Sequence, residues 1–279
     1  MKKEDLKGQV MKEKGLRKRK LIVAAALAGC MAVLGACGKS VPANTVYSID
    51  DLKGKKIGVQ LKTTGDFYSS NIENAQVLRF NKGRDAVLAL RNGEIDAVML
   101  DDAPARVFVE EFGDIRILEE AYADEEYGIA VSKNNTELLN KLNGVLAALK
   151  EEGVIDGIAS AWINGEADRT AYEGQNKDSY ANGTLIMATN AEFPPYESHT
   201  DDNEIIGIDV DIMKAVCDRL DMKLQVEHTA FDSILASIER GMADVGVAAM
   251  TIREDRLRQV NFTDPYMKAK QVIIVRADK

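Results

Sequence analysis

The sequence predicts an α/β protein with two related lobes, and three observations support this fold class. Residues 85–98 and 232–245 share one pattern, in which an amphipathic helix, a glycine and an acidic residue precede an apolar run. Glycine ends helices readily because it adopts the left-handed conformation, so each copy predicts a helix followed by a strand. Short apolar strands also alternate with helical segments along the chain. Finally, residues 165–182 are polar, without an apolar period, and are typical of a linker.

The first 36 residues predict an export signal. Nine basic residues precede residue 21, and no charge follows until after Cys37. The 16 residues 21–36 are fewer than the roughly 20 that span a membrane, which favours a cleaved signal over an anchor. Residues 34–37 (LGAC) resemble the lipobox of bacterial lipoproteins, in which the cysteine is acylated and becomes the first mature residue. Residues 27–30 (LAGC) fit the same pattern but leave a shorter apolar stretch, so Cys37 is preferred over Cys30.

Charge and cysteine content exclude several classes of function. Removal of residues 1–36 takes away nine basic and three acidic residues and leaves a net charge of −15. Such a surface argues against nucleic acid as a partner, so lipid on Cys37 is the expected link to the membrane. After Cys37 the only cysteine is Cys217, whose helical spacing predicts a core position. No disulfide framework and no metal-ligand spacing is present, and no metal or cofactor is expected.

The order of elements predicts the domain organisation. A strand at 55–61 runs into a polar loop, and a second strand at 184–189 does the same. A helix is predicted over 210–220, with Asp209 as its N-cap. The mature chain therefore divides into a tether (37–50), one α/β lobe that ends in a hinge strand (51–132, the N-lobe), helices that pack on the other lobe (133–164), a linker (165–182) and the other α/β lobe (183–279, the C-lobe).

Candidate binding residues lie where the predicted strands end, because ligands of open α/β sheets bind there. Arg256 can pair with a carboxylate through two hydrogen bonds, and Thr251 can add a hydroxyl. Asp101 ends a strand and can meet an ammonium group. Phe193 and Phe231 can enclose a flat or aliphatic side chain. Each residue also has a purely structural alternative: an exposed arginine, a helix-capping aspartate or a pair of core phenylalanines.

Several motifs carry a resemblance to a known family. They are residues 188–197 (ATNAEFPPYE), 207–211 (GIDVD), 249–256 (AMTIREDR), 262–266 (FTDPY), 58–65 (GVQLKTTG) and 95–101 (IDAVMLD). Together they resemble the amino-acid-binding family of bacterial solute-binding proteins, which serve ABC importers. The resemblance covers nearly all of 51–164 and 183–279. It implies a two-lobed type II periplasmic-binding-protein-like fold.

The same resemblance implies a ligand pocket. Arg256 would clamp the ligand carboxylate with the Thr251 hydroxyl and nearby backbone N–H groups, and Asp101 would take the α-ammonium beside the Ala249 carbonyl. Lys62 replaces a glycine of the family, and its side chain either points to solvent or narrows the pocket. The implied ligand-binding residues are Lys62, Thr63, Thr64, Asp101, Asn190, Glu192, Phe193, Phe231, Ala249, Thr251 and Arg256, of which Asn190 and Glu192 would read the polar end of the ligand.

The order of the lobes departs from the family, in which the unit resembling the C-lobe comes first. The chain therefore resembles a circular permutation, with the old ends joined by the linker and the new ends at a crossover between the lobes. In that arrangement only the strand near 127–131 still joins the lobes covalently, which predicts a loose hinge. Exchange of lobes between two chains is the rival explanation, although a monomer is preferred over such a dimer.

The implied function is transport. We expect a lipoprotein on the extracytoplasmic face of the bacterial cell membrane that binds a free amino acid with a polar side chain. It would deliver this amino acid to an ABC permease and catalyse no reaction. A sensor or accessory binding module is one alternative. A dehydratase-like enzyme on the same fold is another, and it would need Glu192 or Lys62 as an acid or base.

Overall fold

A computed structural model describes residues 41–165 and 172–277. The predicted signal peptide, Cys30 and Cys37 lie outside the described residues, as does the start of the tether. From Pro42 onward the described residues form one compact unit. Within these ranges, no helix combines the length and the apolar character that crossing a membrane requires.

Helices and strands alternate along the chain, as expected for an α/β protein. The N-lobe contains β1 (Lys56–Gln60), α1 (Thr64–Ser69), β2 (Gln76–Phe80), α2 (Gly83–Arg91), β3 (Ala97–Asp101), α3 (Asp102–Phe112), β4 (Ile115–Ile117) and β5 (Ala123–Tyr127). The chain continues through β6 (Ala130–Ser132), α4 (Thr136–Glu151) and α5 (Val154–Ile163). The remaining elements are β7 (Thr184–Thr189), β8 (Glu192–Phe193), β9 (Glu197–His199), β10 (Ile205–Ile206), α6 (Ile208–Leu220), β11 (Lys223–His228), α7 (Ile234–Glu239), β12 (Val245–Gly246), α8 (Glu254–Leu257), β13 (Val260–Phe262) and β14 (Met267–Arg276).

Two sheets of equivalent topology form the lobes. The N-lobe sheet has the order β2-β1-β3-β14-β4, with β5 also paired to β14, and the C-lobe sheet has the order β11-β7-β12-β6-β13. In each sheet three parallel strands are followed by an antiparallel strand, β14 or β6, that comes from the other part of the chain. A small sheet, β10-β9-β8, accompanies the C-lobe. The two related α/β lobes that the repeat predicted are therefore confirmed.

The exchange of β6 and β14 corrects the predicted lobe boundaries. Strand β14 (Met267–Arg276) pairs with β3 of the N-lobe, so the C-lobe does not extend to residue 279. Two segments therefore join the lobes: one between β5 and β6, the other between β13 and β14. Two hydrogen bonds join these segments to each other. The Ile129 backbone N–H donates to Thr263 Oγ1 at 3.0 Å, and the Thr263 backbone N–H donates to the Ile129 carbonyl at 3.0 Å. The prediction that a single strand near 127–131 joins the lobes was wrong.

The two ends of the described unit lie side by side in the N-lobe. At the end of β14, the Arg276 guanidinium donates to the carbonyls of Pro42 (2.9 Å), Leu90 (3.0 Å) and Ile95 (2.6 Å). Arg276 is buried in this position. The last strand of the chain is thus tied to the predicted tether, at Pro42, rather than ending at a crossover between the lobes as predicted.

The helices between the lobes and the linker both pack on α6. Helices α4 and α5 both contact α6. Residues 172–182 of the predicted linker contain no helix or strand. They are held by α6 and its C-cap, because Tyr172 Oη donates to Asp218 at 3.0 Å and Lys177 forms an ion pair with Asp221 at 2.7 Å. The described part of the linker is therefore anchored to the C-lobe.

The start of α6 differs from the prediction in a way that matters for the site. The helix begins at Ile208 with Gly207 as its N-cap, so Asp209 lies inside the first turn and is fully buried. Its carboxylate accepts hydrogen bonds from the Ala249 backbone N–H (2.7 Å) and the Tyr266 hydroxyl (2.8 Å). Asp209 therefore fixes the backbone at Ala249, which leads toward the cavity, instead of capping its own helix.

Candidate functional site

A narrow cavity lies between the two lobes, at the carboxyl ends of the parallel strands. Strands β1 and β3 end here in the N-lobe, and β7 and β12 end here in the C-lobe. The structure brings nine of the eleven predicted residues together around this cavity, all except Lys62 and Glu192. The lining residues are Gln60, Thr63, Thr64 and Asp101 from the N-lobe and Asn190, Phe193, Phe231, Ala248, Ala249, Thr251 and Arg256 from the C-lobe.

Arg256 provides the positive charge of the cavity. Its side chain is buried, and its guanidinium donates to the carbonyls of Thr251 (2.8 Å) and Lys62 (3.1 Å), one from each lobe. Burial and the nearby Arg253 lower the pKa of Arg256 to about 10, which leaves it charged at neutral pH. Among the described residues no carboxylate forms a salt bridge with Arg256, so its charge is available to a carboxylate in the cavity.

Two threonine hydroxyls connect the lobes beside Arg256. Thr64 Oγ1 donates to Thr251 Oγ1 at 2.9 Å, and Thr251 Oγ1 donates in turn to a carboxylate oxygen of Glu125 at 2.9 Å. Thr63 serves a local purpose, because its hydroxyl caps α1 by accepting from the Asp66 backbone N–H and donates to the Gln60 carbonyl. The hydroxyl proton of Thr251 is therefore directed away from the cavity in this arrangement.

Asp101 is the acidic group of the cavity. It ends β3 and precedes α3, but its side chain makes no capping hydrogen bond to that helix. It accepts instead from the Tyr127 hydroxyl and from Gln271 Nε2. Burial, followed by the charge of Glu125, raises the pKa of Asp101 to about 8. A cation beside Asp101 would favour its charged form, so this group suits an ammonium ligand.

The rest of the cavity is aromatic and amide in character. Phe193 stacks on Tyr196, and Phe231 lies beside Arg256, with 5.4 Å from the guanidinium carbon to the ring centroid. Asn190 Nδ2 donates to the Thr229 carbonyl, and Asn190 Oδ1 accepts from Gln60 Nε2 at 2.9 Å. Gln60 was not predicted as a site residue, although its position at the end of β1, before the polar loop, is a signal that could have found it.

The two remaining predicted residues lie outside the cavity. The Lys62 side chain is exposed, and its backbone has φ of 65°, a conformation that favours glycine. Only its carbonyl approaches the site, where it accepts from Arg256. Glu192 forms an ion pair with Lys82 of the N-lobe at 2.7 Å. Glu192 therefore joins the lobes at the edge of the cleft instead of facing the cavity.

Glu125 is a buried acid that the sequence analysis did not find. It lies on β5 behind Thr251 and accepts from Thr251 Oγ1 (2.9 Å) and Gln271 Nε2 (3.2 Å) with the same oxygen, Oε2. Its other oxygen, Oε1, is buried and has no hydrogen-bond partner among the described residues. Burial raises the pKa of Glu125 above its ordinary value. The carboxyls of Asp101 and Glu125 both accept from Gln271 and thus form a linked pair.

Several contacts hold the lobes together around the cavity. Besides the threonine pair and the bond from Gln60 to Asn190, Arg253 Nη1 donates to the Thr63 carbonyl at 3.3 Å. The same guanidinium lies 4.5 Å from the ring centroid of Phe67. All these contacts join residues of opposite lobes, so the structure is a closed conformation of the cleft.

Other candidate chemistry is not assembled within the described ranges. No group of three or more His, Cys, Asp or Glu side chains there has the arrangement that holds a metal ion. Cys217 is buried, and burial raises the pKa of its thiol to about 12, which suits a core residue. His199 and His228 contact each other edge to face, at 5.1 Å between ring centroids.

Two α/β lobes that exchange antiparallel strands and enclose a cavity between them have the arrangement of the type II periplasmic-binding-protein-like fold. Residues 185–279, about a third of the chain, match the family model described as bacterial extracellular solute-binding proteins, family 3. Its relatives are amino-acid-binding proteins of ABC transporters.

Two relatives and one solved structure illustrate the similarity. A probable histidine-binding protein of Neisseria gonorrhoeae is 33% identical over 127 residues, 44% of this chain and 47% of that protein. The ABC transporter arginine-binding protein 1 of Escherichia coli (strain K12) is 36% identical over 94 residues, 34% of this chain and 39% of that protein. The structure of an ancestral arginine-binding protein bound to arginine is 39% identical, covers 30% of this chain and 38% of that chain, and has a TM-score of 0.30. The matches thus span half or less of these curated relatives.

Proposed function

We propose that this protein binds a free amino acid with a polar side chain between its lobes and delivers it to an ABC permease. The observation that carries the proposal is the buried guanidinium of Arg256 on one lobe opposite the buried carboxyl of Asp101 on the other. Neither is in a salt bridge with the other or with another described residue. Buried charges need partners of opposite sign, and the α-carboxylate and α-ammonium of one amino acid supply both.

Binding would favour the closed cleft. An amino acid that reaches Arg256 of the C-lobe and Asp101 of the N-lobe makes contacts that exist only when the lobes are together. A ligand shifts an equilibrium by its difference in affinity for the two states, so these contacts stabilise closure. The permease would then distinguish the loaded protein by its closed shape, and no chemical reaction is needed.

The remaining walls suit a polar side chain. Asn190 and Gln60 offer amide groups, while Phe193 and Phe231 offer aromatic surface that packs on aliphatic, imidazole or guanidinium groups. The names of the relatives point in the same direction, since one is a probable histidine-binding protein and another an arginine-binding protein. We therefore place L-arginine and L-histidine first among the amino acids to test.

We further propose that lipid on Cys37 holds the protein at the extracytoplasmic face of the membrane, and that the chain is a monomeric circular permutation. The bonds from Arg276 to the Pro42 region support the permutation, because in the unpermuted order β14 would lead directly into this segment. Mass spectrometry of the membrane fraction tests the anchor, since Cys37→Ser should abolish acylation. A dimeric mass with ligand bound would favour exchange of lobes.

A thermal-shift screen of the twenty amino acids tests the binding function. An amino acid at 1,000 times its Kd stabilises the folded protein by about 4 kcal/mol, which is a shift of several degrees. We expect at least one polar amino acid to give such a shift. Arg256→Ala should abolish it, while Arg258→Ala, at an exposed neighbouring position, should leave it unchanged. No shift with any amino acid, or an unchanged shift in Arg256→Ala, would contradict the proposal.

A dehydratase-like enzyme is the second candidate. The acids and bases first considered for it, Glu192 and Lys62, lie outside the cavity. Asp101 and Glu125 favour it instead, because buried carboxyls with raised pKa values are suited to donate protons. Nuclear magnetic resonance of amino-acid and cyclic-acid mixtures incubated with the protein would detect turnover. If the compounds are unchanged after prolonged incubation with the protein, binding remains the proposed function.

A further inference from the structure

Glu125 is hydrogen-bonded toward both parts of the site, the side that contains Arg256 and the side that contains Asp101. From β5 of the N-lobe it reaches Thr251 of the C-lobe, and through Gln271 it is linked to Asp101. One chain of hydrogen bonds therefore runs from Thr64 through Thr251, Glu125 and Gln271 to Asp101. It connects the wall that would meet the ligand carboxylate with the wall that would meet the ammonium.

The proton on Thr251 can serve only one acceptor. A threonine hydroxyl has a single donor, and in this structure it is given to Glu125 while the oxygen accepts from Thr64. A charged Glu125 continues to accept the hydrogen bond from Thr251, and it adds a negative charge behind the residues that would bind the ligand carboxylate. A neutral Glu125 can donate its own proton to Thr251, which then frees the threonine hydroxyl to donate to a ligand carboxylate.

The surroundings oppose simultaneous charge on both acids. Glu125 is 4% exposed and Asp101 is 6% exposed, and each carboxyl accepts from the single Nε2 group of Gln271. Two carboxyls this closely linked do not both ionise readily. Four other titratable or charged groups interact electrostatically with Glu125: Tyr68 of α1, Tyr127 of β5, and Arg253 and Arg256 of the C-lobe. The open pocket that Glu125 lines also has Asp102 of α3, Asp124 and Glu126 of β5, and Lys268 and Lys270 of β14 in its wall.

We propose that Glu125 is a positioning residue that keeps a proton while an amino acid is bound, so that Asp101 alone carries the negative charge of the pair. The inference rests on the proposed function, because it assigns the ammonium to Asp101 and the carboxylate to Arg256 and Thr251. The ligand ammonium lowers the pKa of Asp101 and so favours its charged form. The negative charge of Asp101 then raises the pKa of Glu125, which keeps its proton. Glu125 also lines a second, open pocket of about 760 Å³, which gives its proton a route to solvent.

A direction of pH dependence follows. As pH rises until Glu125 loses its proton in the complex, the ligand carboxylate faces a new negative charge and loses the Thr251 donor. Affinity therefore falls at alkaline pH. Glu125→Gln cannot ionise and should not share this fall. The ligand titrates equally with both proteins, so the ratio of the two Kd values reports the ionisation of Glu125 together with its coupling to Asp101.

The experiment is calorimetric titration of wild type and Glu125→Gln with L-arginine and L-histidine from pH 6 to 9.5. We expect the ratio of wild-type Kd to variant Kd to lie within threefold of one at pH 6 and to exceed ten at pH 9.5. Glu126→Gln, at the exposed neighbouring position on the same strand, should follow wild type throughout. A constant ratio across the range, or binding more than tenfold weaker in Glu125→Gln at pH 6, would overturn the inference.

Glu125→Ala is the second variant, since it also lacks the carboxyl and must show the same trend with pH from its own starting value. Failure of both variants to fold would assign Glu125 a structural role and contradict the inference. If wild type binds none of the twenty amino acids, the proposed function and this inference fail together. If wild type binds one of them and the ratio is flat, only the inference fails.

Discussion

Replacing Asp101 with asparagine should make the ligand-free protein more stable in alkaline solution while it weakens ligand binding. Burial raises the pKa of Asp101 from 3.8 to about 8. Between these values the folded state holds a proton that the unfolded state has lost, so the free energy of unfolding falls as pH rises and the loss is complete above about pH 8. The rise in pKa corresponds to a loss on the order of 5 kcal/mol.

Asparagine has no such loss but gives up part of the hydrogen bonding. The two bonds from Tyr127 and Gln271 to a charged acceptor are each worth about 1.5–3 kcal/mol, and an amide oxygen retains only one of them. We therefore expect Asp101→Asn to exceed wild type by roughly 2–3 kcal/mol at pH 9. At pH 4 Asp101 is protonated in the folded state and only about half ionised in the unfolded state, so nearly all of the alkaline gain is absent.

Binding should change in the opposite direction. An ammonium buried without its carboxylate partner costs about 2–5 kcal/mol, which raises Kd by about 30-fold to several thousandfold. Urea unfolding at pH 4 and pH 9 measures the stability, and calorimetric titration with L-arginine and L-histidine measures the affinity. Asp102→Asn is the matched control, because the adjacent Asp102 is paired with Arg106 outside the cavity. The reasoning is refuted if Asp101→Asn is less stable than wild type at pH 9 or binds equally well.

Two further predictions concern closure and folding. Lys82→Ala and Glu192→Gln should each weaken ligand binding by less than about 1 kcal/mol, because the side chains of this ion pair are 49% and 27% exposed. A double-mutant cycle should give a coupling energy of similar size, and coupling that persists in 0.5 M salt would contradict an ion-pair role. Gly207→Ala should lower the free energy of unfolding by at least about 3 kcal/mol, because its φ is 142° and a Cβ would lie 2.1 Å from the Tyr196 carbonyl oxygen. Gly144→Ala, mid-helix with open space around it, should raise it by up to about 1 kcal/mol, and denaturant titration distinguishes the two results.

The local patterns predicted most of the fold because each lobe repeats the same short elements. The repeat at 85–98 and 232–245 corresponds to α2 with β3 and α7 with β12, which occupy equivalent places in the two sheets. The exchange of β14 was missed for a physical reason. Its last six residues are buried on both faces, so the apolar pattern of the strand does not indicate which sheet it joins.

The site was predicted where residue type and strand position agree, as at Asp101 and Arg256. Glu125 was missed because it lies within a run of acidic residues that is typical of a solvated surface. In β5, however, side chains alternate between the two faces, so Asp124 and Glu126 are exposed while Glu125 is buried. Lys62 and Glu192 were misplaced because spacing gives the position of a backbone, and not whether the side chain reaches the cavity.

The most direct test of the account is to remove one α-group from the ligand. Calorimetric titration would compare L-arginine with agmatine and L-histidine with histamine, the same molecules without the α-carboxylate that Arg256 is proposed to hold. We predict that at least one of the amino acids binds and that its amine binds at least about 100-fold more weakly, a difference of about 2.7 kcal/mol. Equal affinity for an amino acid and its amine, or no binding of any of the twenty amino acids, would contradict the account.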